Sequence, residues 1–150
     1  MFWQRNHYTE DYVRPEHVYT RAVLVKYWEK VRASGRHGYR SRPDPSCVLG
    51  TEKRFVLVLL PIERLERISD DSQLVAEYAQ RRGEFPPGFG ELDDGFNGWF
   101  VNLHDGNHRC CAAEQRGDKL FPVFISLYDY RNISKFLPEL QAEDARHWLS

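Results

Sequence analysis

The sequence predicts an α/β (α+β) domain built around a small mixed sheet. Three observations carry that prediction. Short apolar runs rich in strand-forming residues, at 55–60, 99–103 and 120–129, alternate with helical stretches in the order strand, helix, loop, strand, helix, strand. The chain of 150 residues suits one domain, and its 41% hydrophobic content, with 4 Trp, 8 Tyr and 9 Phe, is enough to bury a core without disulfides or metals. No repeat or low-complexity tract interrupts the succession.

The elements follow from the pattern. Residues 1–15 are polar and aromatic and end at Pro15. Over residues 16–34, Val18, Arg21, Leu24, Trp28 and Val31 recur at steps of three and four, which predicts a helix that stops at Gly35. The mixture of Arg, Gly, Ser and Pro in 36–46 reads as an exposed loop. FVLVLL at 55–60 fits a strand buried on both faces, ended by Pro61. A turn or short helical step leads to a helix over 71–82, with Ser69, Asp70 and Ser72 as candidate N-caps, Leu74, Val75 and Tyr78 inward and Gly83 as its stop. Five glycines and two prolines make 83–98 a loop with one hairpin turn. A strand at 99–103, a helix at 109–116 ended by Gly117, a strand at 120–129 and a helix at 133–148, started or kinked by Pro138, complete the chain. On this reading residues 1–54 are an N-terminal helical extension, 55–128 the core and 129–150 a C-terminal helical segment, all within one domain.

Composition excludes several classes. The formal net charge is −1, so global charge does not point to nucleic acid. The 3 cysteines, Cys47, Cys110 and Cys111, are an odd count without a Cys-x-x-Cys pair, which argues against a disulfide framework or a zinc knuckle. No apolar stretch reaches the ~20 residues of a membrane span, and the first residues lack a signal-peptide core. A cytoplasmic protein without membrane contact is the expectation. Arg32, Arg36, Arg40 and Arg42, with Tyr39 among them, are candidate contacts to a nucleic-acid backbone, weighed against a solvated loop.

The chemistry concentrates in VNLHDGNHRCCAAEQRG, residues 101–117. Between an apolar strand and an Ala-rich helix stand His104, Asp105, Gly106, Asn107, His108 and Arg109. A helix that starts directly after a strand leaves its first N–H groups unpaired and carries positive potential there. Gly106 lets the backbone approach a ligand or take φ > 0, Arg109 offers a forked donor and His108 a titratable one. Together they form a cradle for phosphate. Asp105 is placed to orient its neighbours or to hold a divalent ion. A plain helix cap is the alternative, but four ionisable side chains exceed what a cap requires. Cys110 and Cys111 read as small packing residues.

Asp105-Gly106-Asn107-His108-Arg109, followed by Ala112-Ala113, Gly117 and Phe121-Pro122-Val123, resembles the block that marks ParB-like nuclease domains in the ParB/sulfiredoxin superfamily. Leu60–Leu65 resembles the opening strand and turn of that domain, and Gly83 with Pro86-Pro87 resembles its link between first helix and second strand. The resemblance covers residues 55–128. It implies a compact fold that holds nucleotide phosphates at this joint, and activities that range over CTP or ATP hydrolysis, small-molecule phosphorylation with ADP or ATP, and nuclease action. Asn107 stands where a sulfiredoxin has its cysteine, so sulfinic-acid reduction is disfavoured. The acidic-arginine version of the motif and the helix-turn-helix of partition proteins are absent. The catalytic glutamate of the serine kinases would fall near Ser69, with Asp70 and Asp71 next to it. A nuclease would recruit carboxylates from Asp105, Asp70, Asp71, Asp93 or Asp94 to a metal.

The expectation is therefore a nucleotide- or phosphate-binding protein with phosphoryl-transfer or phosphodiester chemistry. Gly106, Asn107, His108 and Arg109 would bind the ligand. Asp105, His108, Asp70 and Asp71 would supply acid, base or metal contacts, with ATP, ADP or CTP and Mg²⁺ as cofactors. A non-catalytic module that binds DNA or protein on the same fold is the alternative.

Overall fold

The computed structural model describes residues 13–33, 46–93, 95 and 98–150, with the side chains of Arg32 and Cys47 left out. The fold is mixed α+β, and among the described residues six strands form one sheet in the order β1-β2-β6-β4-β5-β3. They are β1 (Tyr19–Thr20), β2 (Arg54–Pro61), β3 (Leu65–Glu66), β4 (Gly88–Asp93), β5 (Phe100–Asp105) and β6 (Leu120–Ser126). β2 runs antiparallel to β1 and β6, β4 antiparallel to β5, and the β4–β6 and β3–β5 pairs are parallel. The helices are α1 (Arg21–Ala33), α2 (Ser46–Leu49), α3 (Ser72–Ala79), α4 (Asn107–Arg116), α5 (Leu127–Ile133) and α6 (Arg146–Leu149).

Strand periodicity divides the core between the two faces of the sheet. Val56, Val58 and Leu60 of β2, with Phe121, Val123 and Ile125 of β6, point toward Val75, Tyr78, Cys110 and Ala113 on α3 and α4. Phe55, Leu57 and Phe124 point the other way, into a cluster with Leu24, Tyr27 and Trp28 of α1. The continuous apolar run of β2 is thus covered on both sides, as its sequence predicts, apart from Leu59, which is 40% exposed.

Several boundaries differ from the sequence expectation. The helix expected over 16–34 begins only at Arg21, because Tyr19 and Thr20 pair with Phe55 and Arg54 at the sheet edge and the Arg21 N–H donates to the Lys53 carbonyl. This stretch is part of the sheet and of the core rather than an appendage. The strand expected over 120–129 gives way to α5 at Leu127, where the Ser126 hydroxyl accepts from the Asp129 N–H. The helix expected over 133–148 is absent as such. Pro138 cannot continue α5, and the chain beyond it pairs with the edge of β2, the Glu143 N–H donating to the Leu57 carbonyl at 2.8 Å. Only Arg146–Leu149 at its end is helical.

The glycine-rich stretch expected as a loop contains β4, which sits between β5 and β6. Its glycines are used for closeness. A Cβ on Gly90 would lie 2.5 Å from Val101 Cγ1, and one on Gly88 would lie 2.4 Å from the Asp105 carbonyl oxygen. Among the described residues no helix is long and apolar enough to cross a membrane.

Candidate anion site at the meeting of two helix starts

β5 delivers the chain to the joint at Asp105, Gly106 turns it, and α4 starts at Asn107. Gly106 has φ +94°, a left-handed conformation that favours glycine, and a Cβ there would stand 2.9 Å from the Gly88 Cα. Gly88 and Gly106 therefore let the start of β4 and the start of α4 touch backbone to backbone. Of the two uses the sequence offers for Gly106, the positive φ is the one seen, and the close approach there is to the protein's own strand.

Arg109 has a different task from the one expected of it. Its side chain lies beneath the joint, 1% exposed. Nε donates to the Pro86 carbonyl at 3.0 Å, and Nη2 to the Pro87 carbonyl at 3.1 Å and to Asp105 Oδ2 at 3.4 Å. The Tyr27 hydroxyl also donates to the Pro87 carbonyl, at 3.2 Å. The guanidinium thus holds the Pro86-Pro87 segment against the base of α4 and is turned away from the surface. Asp105 is its buried counter-charge, and its second oxygen, Oδ1, has no hydrogen-bond partner among the described residues. Burial raises the Asp105 carboxyl above the usual carboxylate range, and the Arg109 charge opposes that rise. Asp105, expected as a base or metal contact, is thus 2% exposed and held against Arg109 beneath the joint.

Asn107 and His108 face the segment before α3. Asn107 Oδ1 accepts from the Ile68 N–H at 2.9 Å while Nδ2 donates to the Leu103 carbonyl at 3.1 Å. Next along the chain, His108 Nδ1 lies 2.6 Å from Ser69 Oγ. Consecutive residues at the start of α4 thereby hold consecutive residues of the 68–69 segment. Asp71 caps α3, its Oδ1 accepting from the Leu74 N–H at 2.9 Å. The cap is thus Asp71 rather than Ser69, Asp70 or Ser72, an acid placed at the positive end of the helix. Asp70 is exposed.

The outcome is that α3 and α4 pack together with their starts meeting at Ser69 and His108. α4 has no side-chain cap of its own. Its first-turn N–H groups have no intrahelical acceptor by helix geometry, and the aligned peptide dipoles make this end positive. Beside it lies an open depression of about 730 Å³ between the 63–68 segment and the β5 residues Phe100, Asn102 and Leu103, with Asn107 on its rim.

Other candidates fall elsewhere. Asp93 pairs with Phe100, at the opposite end of the β4–β5 hairpin from Asp105, and Asp94 is outside the described residues. His104 reaches Glu91 at 3.4 Å on the neighbouring strand. Arg67 bonds the Ile62 and Leu65 carbonyls and Glu114, Arg64 lies over Trp99 and Phe100, and Arg81 over Tyr78. Cys110 is fully buried, its thiol pushed up to about 12 by desolvation, and Cys111 is half-buried. Arg36, Arg40 and Arg42 lie outside the described residues, as does the side chain of Arg32. Among the described residues no three His, Cys, Asp or Glu side chains converge as a metal site.

Sequence reasoning met Ser69 only as a cap candidate and as the neighbour of a carboxylate position. The spacing of 39 residues between Ser69 and His108 carries no local signal of their contact. No protein-family model matches the chain, and no curated protein or solved structure does either.

Proposed function

We propose that the chain is a ParB/sulfiredoxin-type nucleotide- or phosphate-binding protein whose phosphate site is the meeting point of the α3 and α4 starts. The observation that carries this reading is the uncapped start of α4, with His108 and Ser69 joined across it. In this reading the N–H groups of Asn107, His108 and Arg109 wrap phosphate oxygens, and His108 adds a side-chain donor. Asn107, Arg109 and Asp105 act as positioning residues: the first ties α4 to the 68–69 segment, and the other two lock the joint from beneath. The nucleoside lies over the adjoining depression, with Phe100 and the exposed Ile68 as its apolar contacts. Phosphoryl-transfer or phosphodiester chemistry then proceeds with Mg²⁺ delivered on the nucleotide phosphates.

Calorimetric titration with ATP, ADP and CTP, with and without Mg²⁺, tests this. A hydrogen bond to a charged group contributes about 1.5–3 kcal/mol, so His108→Ala is expected to weaken binding roughly 10- to 150-fold. Asp70→Ala is expected to leave binding as it is. Absence of binding by all three nucleotides would overturn the reading in favour of a non-catalytic DNA- or protein-binding module.

A further inference from the structure

We propose that Ser69 is a nucleophile that takes a phosphoryl group from a nucleoside triphosphate, with His108 as its base. The inference rests on the phosphate site proposed above and gives that site a covalent step.

Four observations bear on it. Ser69 Oγ and His108 Nδ1 are 2.6 Å apart, within the reach that proton transfer requires. The Asp71 N–H points into the same Oγ at 3.4 Å. In the imidazole tautomer that carries its proton on Nε2, Nδ1 accepts the hydroxyl proton, as a base requires. Ser69 is also not employed as a helix cap, because Asp71 has taken that position on α3. Finally, the segment is held in place: Asn107 Oδ1 fixes the Ile68 N–H, one residue before the serine. Both partners are half-buried, so neither is sealed in the core. A serine hydroxyl bonded to an imidazole, beside the uncapped start of α4, has the parts of an activated nucleophile.

The step balances as follows. Ser69 Oγ bonds to the γ-phosphorus as its proton passes to His108 Nδ1. The bond from the γ-phosphorus to the β,γ-bridging oxygen breaks, its electron pair leaves with that oxygen, and a nucleoside diphosphate departs. The products are phosphoserine at 69, a protonated His108 and the diphosphate. Water or an acceptor hydroxyl then takes the phosphoryl group from the serine, its proton leaving through His108, which has by then released its first.

The test uses the whole chain with γ-³²P-labelled ATP, CTP and GTP and Mg²⁺, quenched in acid from milliseconds to an hour. Phosphopeptide mapping locates the label, and equilibrium dialysis of the same preparation measures bound nucleotide. The expected result is acid-stable label on Ser69, none in Ser69→Ala, and incorporation slowed at least ~100-fold in His108→Ala, the lower end of what a general base contributes. Circular dichroism of both variants establishes that they are folded. Nucleotide bound without label on Ser69 at any time, or label on another residue, overturns the covalent step and leaves the phosphate site standing. No bound nucleotide overturns both.

Discussion

Removal of the Arg109 side chain separates a latch from a ligand. The guanidinium is buried, and its hydrogen bonds include two to the Pro86 and Pro87 carbonyls and one to Asp105. Arg109→Ala would remove the guanidinium bonds to the Pro86 and Pro87 carbonyls, of which Pro87 keeps the Tyr27 hydroxyl, and would leave the Asp105 carboxylate without its counter-charge. Bonds to a charged group contribute about 1.5–3 kcal/mol each, but they are not additive, and loss of one partner of a buried ion pair costs about 3–5 kcal/mol as a whole. Against a domain stability of about 5–15 kcal/mol, that is a large fraction. Urea unfolding of Arg109→Ala, Asp105→Ala and the double variant Arg109→Met/Asp105→Asn measures it. Each single variant is expected to lose about 3–5 kcal/mol. The double variant is expected to lose less than the sum of the singles, since it strands no charge. An Arg109→Ala protein within about 1 kcal/mol of the parent, but unable to bind nucleotide, would refute the reasoning and return Arg109 to the ligand.

Three further outcomes are expected. Gly88→Ala forces a Cβ against the Asp105 carbonyl, a contact of 2.4 Å, and should cost at least the ~1–3 kcal/mol of an overpacked core, read from the urea midpoint; an unchanged midpoint would contradict the close crossing. In the folded protein at mildly alkaline pH, iodoacetamide should label Cys111 before Cys110, whose buried thiol is pushed up to about 12; equal rates by mass spectrometry would place Cys110 nearer the surface. Burial also raises the Asp129 carboxyl above its ordinary 3.8, so the folded chain binds its proton more tightly than the unfolded one, and the stability this contributes is complete below that value and lost as pH rises through the folded pKa. Asp129→Asn should therefore flatten the fall in urea midpoint as pH rises above the ordinary carboxylate value of 3.8, and identical slopes in parent and variant would exclude the effect.

The parts of the fold legible in the sequence are those where one local signal dominates. FVLVLL is long and apolar enough to be a doubly covered strand whatever surrounds it, and Gly117, at φ +96°, ends α4 as a C-terminal glycine should. β4 was illegible because Gly88 and Gly90, which locally signal a turn, are there to let neighbouring backbones and valines close in. The C-terminal helix was over-read because helical propensity after Pro138 lost to pairing with the edge of β2. At the joint from Asp105 to Arg109, residue type alone did not say which side chains face outward. Arg109 and Asp105 are ionisable, and their charges satisfy each other in the interior. Asn107, expected to bind the ligand, ties two segments together. Ser69 became visible only when the chain brought it to His108.

The most direct test of the phosphate site is a titration of ¹⁵N-labelled protein with nucleotide, followed by the backbone amide shifts. The account predicts that the largest shifts fall on Asn107, His108 and Arg109 at the start of α4 and on Ser69 to Gln73 at the start of α3. Shifts confined to other parts of the sheet, or none at saturating nucleotide, would contradict it.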